Sequence, residues 1–112
     1  MQHEVDLFKA LSDPTRLRLV VLLALHGDVC VCVMAEALDE PDFKISRHLR
    51  VLRSAGIVET RREGTWMHYR LAEPRTRLEE CLQQCFHDCL NDHETVVADT
   101  ERLKNATCSN DG

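Results

Sequence analysis

Two cysteines, Cys30 and Cys32, stand one valine apart in the stretch HGDVCVCVMAEAL. Thiolates are soft ligands: trivalent arsenic and antimony bind them and take three, cadmium and lead are also thiophilic, and zinc and cobalt accept more nitrogen and oxygen. After Gly27 and Asp28 the stretch reads as the first turn of a short helix over roughly 30–38. A helix N-terminus favours anionic groups, thiolates among them. On a regular helix, residues two apart differ by about 200°. The spacing therefore predicts that both thiols reach one ion only if this turn unwinds. The competing reading is two small core residues. Cys81, Cys85 and Cys89 recur every four residues further on, and Cys108 follows later. Neighbours in that series are about 6 Å apart along a helix axis, so one straight helix offers an ion an adjacent pair but hardly all three.

Six cysteines are many for a chain of 112 residues. No apolar run reaches the ~18 residues of a membrane span, and the start lacks the basic-then-apolar order of a signal peptide. A cytoplasmic protein is the expectation, and a reducing compartment argues against a disulfide scaffold. Metal or metalloid binding, redox sensing and plain burial remain. No cysteine–histidine–carboxylate arrangement or oxyanion-type glycine loop supports an enzyme.

The net charge of −5 looks unsuited to nucleic acid, but its distribution is uneven. Residues 44–70 carry +5, whereas 1–43 and 71–112 carry −5 each. Phosphate binding needs local rather than global charge, so a basic block between acidic flanks points to nucleic acid, with a solvated basic face as the competing reading.

The elements that must position these groups follow from pattern. Val5, Phe8 and Leu11 give a short first helix at helical spacing. Asp13 as N-cap and Pro14 open a second, apolar nearly all round and ended by Gly27. After the third helix, Pro41 marks the start of a fourth, in which Ile45, Leu49 and Leu52 form one stripe. Phe43, Arg47, Arg50 and Ser54 point the other way, Ser46 flanks that face, and His48 sits nearer the buried edge. A β-hairpin with its turn at Glu63 and Gly64 comes next, with Arg61 and Arg62 beside the tip. One last helix is expected from Pro74 to about Lys104, its apolar side carrying Leu78, Leu82, Cys85, Cys89 and Val96 and inviting a dimer contact. The expectation is one domain, 1–104, with a flexible tail, 105–112.

Two short helices followed by a hairpin make a winged helix-turn-helix, mainly α, of order α-α-α-α-β-β-α. The segments FKALSDPTRLRLVVLL, CVCVMAEAL, KISRHLRVLRSAGIV and REGTWMHYRL resemble the ArsR/SmtB family of bacterial metal-sensing repressors, its arsenic-responsive branch most closely. The match covers about residues 5–72. It implies a homodimer that represses an operon at an imperfect inverted repeat and is released by an inducer. By this resemblance the inducer is As(III) or Sb(III) on Cys30 and Cys32, with no organic cofactor. Cadmium, lead, an organoarsenical, and thiol oxidation or sulfide are the alternatives. Lys44, Ser46, Arg47 and His48 match the family's DNA-reading stretch. Arg50 shares the outer face of that helix, and Arg61 and Arg62 lie on the wing.

The chain departs from the family pattern in three places. Pro41, Asp42 and Phe43 stand where a Ser-Gln-Pro-like sequence is common, which leaves base readout open. Ala35 stands where arsenic-responsive relatives often carry a third cysteine. Two thiols would suit an organoarsenical. Otherwise Cys108 completes the site, or sensing lies at Cys81, Cys85 and Cys89. Zinc sensing is not implied, because Arg75, Phe86 and Cys89 occupy roughly the places of the family's Asp/His pairs.

Overall fold

A computed structural model describes residues 1–107. Nine elements follow in order: α1 (Gln2–Leu11), α2 (Pro14–His26), β1 (Val29–Cys30), α3 (Val31–Leu38), α4 (Asp42–Ser54), β2 (Val58–Glu63), β3 (Trp66–Leu71), α5 (Arg77–Asp88) and α6 (Glu94–Asn105). Helix α2 is the centre. Leu19, Val20, Val21, Leu22 and Leu23 are all buried along it. Its start is fixed as the sequence predicts: the Asp13 carboxylate accepts from the backbone N–H groups of Thr15 and Arg16 at 3.0 and 3.1 Å, and Pro14 opens the first turn. Gly27 ends it at φ 79°, a conformation costly for a residue with a Cβ.

Around this centre, α3 and α4 form the helix-turn-helix. Helix α4 buries Ile45, Leu49 and Leu52 completely, which is the expected stripe. β2 and β3 form the wing. The sheet has a third strand that pattern alone does not suggest: β1 pairs antiparallel with β3, Val29 opposite Tyr69 and Cys30 opposite His68. No helix among the described residues is long and apolar enough to cross a membrane.

Three expectations need correction. The last helix is two helices, α5 and α6, separated at residues 89–93. Asn91 and Asp92 are residue types that favour turns and caps over helix interiors, and His93 caps the next helix by accepting from the N–H of Thr95 at 3.1 Å. Cys85 and Cys89 do not join the apolar side of α5; both are exposed, and Phe86 is buried instead. In α1 the buried residues are Leu7, Ala10 and Leu11, while Val5 and Phe8 remain 41% and 50% exposed.

Candidate functional site

Cys30 is not in the helix. It is the N-cap of α3, with extended backbone at φ −82° and ψ 160°, and it closes the short strand β1. Cys32 lies one turn-position into α3. The change from strand to helix between them cancels the 200° separation of a regular helix, and the two sulfurs meet at 3.5 Å. The expected unwinding of the first turn is therefore unnecessary, because the chain begins the helix one residue later than the pattern suggests. With thiolate–metal bonds of about 2.3 Å, as zinc makes, a 3.5 Å edge subtends roughly 100° at a shared ion. That angle is below tetrahedral and suits a trivalent ion whose lone pair compresses its bonds. Both cysteines are half-buried at the N-terminal end of α3.

The position of the pair matters as much as its chemistry. Cys30 belongs to the wing's sheet, opposite His68, and Cys32 belongs to the helix that packs on α4. An ion held by both would join the wing and the helix-turn-helix at their common root.

Helix α3 is fastened at its other end. Asp99 of α6 is 1% exposed. Its carboxylate accepts from Arg18 Nε and Nη2 at 2.9 and 2.7 Å and from Arg102 Nη2 at 2.8 Å. The same guanidiniums donate to the last carbonyls of α3, Arg18 to Leu38 at 3.3 Å and Arg102 to Ala37 at 2.7 Å. This cluster escaped the sequence reading, since a lone acid in a charged helix carries no pattern.

On the outward side, Arg47 and Arg50 of α4 are exposed, and Phe43 is 70% exposed at the helix start. Lys44 extends beside them with its ammonium 3.0 Å from Glu40, and Ser46 is half-buried. His48 turns inward: Arg16 Nη1 lies 3.2 Å from its Nδ1, and Asp13 lies 3.9 Å away. Burial lowers the His48 pKa; Asp13 opposes this, and Arg16, Arg47 and Lys44 add to it. On the wing, Arg62 is exposed. Arg61 is held by Asp28 and Glu63, each at 3.2 Å.

The other thiol group is less prepared for an ion. Cys81, Cys85 and Cys89 are all exposed on α5 and its end. The adjacent Cys85, then desolvation, and also Asp88 and Asp92 raise the Cys89 pKa and disfavour its thiolate. Cys108 lies outside the described residues.

Residues 13–60 match the model of the bacterial regulatory protein, arsR family. The arsenic resistance transcriptional regulator ArsR2 of Pseudomonas putida is 42% identical over 101 residues, 89% of this chain and 85% of that one. The arsenical resistance operon repressor of Escherichia coli is 50% identical over 68 residues, 61% of this chain and 58% of that one. A homodimeric winged helix-turn-helix DNA-binding domain from Mycobacterium bovis superposes with a TM-score of 0.65 at 34% identity, covering 83% of this chain and 86% of that one. The basic reading helix, its wing and these likenesses agree: the chain belongs to the ArsR family of DNA-binding transcriptional repressors and is not an enzyme.

Proposed function

We propose that this repressor binds operator DNA as a homodimer and is released when trivalent arsenic or antimony binds Cys30 and Cys32. The observation that carries the reading is the 3.5 Å sulfur pair at the root of both wing and helix-turn-helix. Arg47, Arg50, Lys44 and Ser46 of α4 enter the major groove. Arg61 and Arg62 hold the wing to phosphates, and His48 braces α4 against α2. Exposed Val5 and Phe8 of α1, a helix joined to α5 through the His3–Glu79 pair, supply the apolar dimer contact. The likeness to two arsenical regulators supports this choice of inducer.

An ion on both sulfurs fixes the distance between β1 and α3. If that distance differs in the DNA-bound state, the ion and the operator disfavour each other by the same free energy. Moving the protein from mostly bound to mostly free requires a differential of about 5 kcal/mol. The test is fluorescence anisotropy of a labelled inverted-repeat operator with reduced protein, titrated with arsenite. Release from the parent chain but not from the Cys30→Ser/Cys32→Ser variant is expected. Equal release from both would place the sensor elsewhere. Tight operator binding that arsenite leaves intact would reject arsenite as inducer and turn attention to cadmium, lead, organoarsenicals and oxidants.

A further inference from the structure

Phe43 is the second residue of α4 and is 70% exposed. It shares one strip of that helix with Arg47 and Arg50, both exposed. At 100° per residue the three fall within an arc of about 60°. The packing stripe of α4 is Ile45, Leu49 and Leu52, so the phenyl ring is spare to the core. A helix laid in the major groove reaches base edges with its N-terminal residues. Phe43 therefore stands at a base-reading position.

The chemistry open to a phenyl ring there is narrow. It has no charge for a phosphate, and no donor or acceptor for a polar base edge. The apolar feature that a base presents in the major groove is the C5 methyl of thymine. The surroundings of the ring do not favour a phosphate either. Asp42, its neighbour in the chain, is exposed and repels one. The Lys44 ammonium, on the other side, is engaged by Glu40 at 3.0 Å. This end of α4 is better suited to base edges than to the DNA backbone.

We propose that Phe43 reads a thymine in each operator half-site, packing its ring on the C5 methyl in the major groove. The inference rests on the placement of α4 in that groove. Phe43 and Arg47 are four residues apart, about 6 Å along the helix axis, which is less than two base-pair steps of about 3.4 Å. The thymine therefore lies within about two base pairs of the base that Arg47 reads. Because the contact buries apolar surface and neutralises no phosphate, it adds sequence preference without adding salt dependence.

The test uses the full chain, reduced, on an operator selected from a randomised inverted-repeat library. Each thymine of a half-site is replaced in turn by deoxyuridine, which lacks only the C5 methyl. Fluorescence anisotropy then compares the parent, Phe43→Ala and Arg47→Ala. One uridine position is expected to weaken the parent about fourfold per half-site, the loss of one buried methyl at about 0.8 kcal/mol. The same uridine should leave Phe43→Ala binding unchanged, and the salt slope of Phe43→Ala should match the parent's. Thermal unfolding of Phe43→Ala should also match the parent, since the substitution is at the surface. A uridine that weakens the parent and Phe43→Ala equally would overturn the inference, because another residue would then read the methyl. No uridine effect in the parent, with base preference altered in Arg47→Ala, would overturn the inference and leave α4 in the groove. No uridine effect and no altered preference in Arg47→Ala would refute the placement of α4, and the inference with it.

Discussion

Asp99→Asn is the substitution that most directly tests how the DNA-reading half is held. Three charge-assisted hydrogen bonds, at 2.7, 2.8 and 2.9 Å, end on this one carboxylate. Removing one partner of a fully buried ion pair costs about 3–5 kcal/mol. Here the arginine side chains keep some water, 23% exposed for Arg18 and 43% for Arg102. Asparagine also retains one acceptor oxygen. These features reduce the expected loss to about 2–3 kcal/mol. For a domain of this length that is a fall in Tm of roughly 8–12 °C. Thermal and urea unfolding, followed by circular dichroism in reducing buffer, would measure it. Asp92→Asn is the control: exposed, and expected within about 0.5 kcal/mol of the parent. If Asp99→Asn were as harmless as Asp92→Asn, the idea that α6 anchors α3 through this carboxylate would be wrong.

Further outcomes follow from the same geometry. Arg62→Ala should weaken operator binding about equally across sequences and reduce the salt slope by ~1, whereas Arg47→Ala should change preference at particular base pairs by about 1–3 kcal/mol. Binding isotherms over a salt series and an operator library would separate the two. His48 has a folded pKa lowered by burial, so its contribution is present above the unfolded value near 6.5 and is lost as pH falls below it. Urea titrations from pH 7.5 to about 5 should show falling stability, and His48→Gln should flatten that fall; an identical slope would contradict the burial argument. Gly56→Ala should destabilise by about 1–2 kcal/mol. Its φ is +78°, and a Cβ there would lie 2.5 Å from Arg75 Nη2, the flexible end of an exposed side chain, so backbone strain dominates. A chemical denaturation curve no weaker than the parent's would count against this.

The local rules of the fold were legible in the sequence. Asp13 and Pro14 announce α2, the Ile45, Leu49 and Leu52 stripe announces α4, and Glu63 and Gly64 announce the wing turn. What was not legible depends on distant partners. The alternating valines around Cys30 and Cys32 fit a strand or a helix start equally well, and only pairing with Tyr69 and His68 decides that Cys30 stays extended. That one-residue shift turns two opposed thiols into a pair. The break at 89–93 was hidden because apolar spacing continues through Leu90 to Val96. The separation lets α6 set Asp99 against Arg18 on α2, eighty-one residues earlier in the chain. The outward face of α4 was read from periodicity, but the inward turn of His48 depends on Arg16 and Asp13, which no periodicity places beside it.

Reciprocity tests the account most directly. Arsenite affinity would be measured on reduced protein, with Cys81, Cys85 and Cys89 changed to Ser, free and saturated with operator. Weaker arsenite binding on DNA is expected, by the same factor by which arsenite weakens operator binding. Equal arsenite affinity in the two states would mean that the thiol pair and the DNA surface are not coupled, and the central claim would fail.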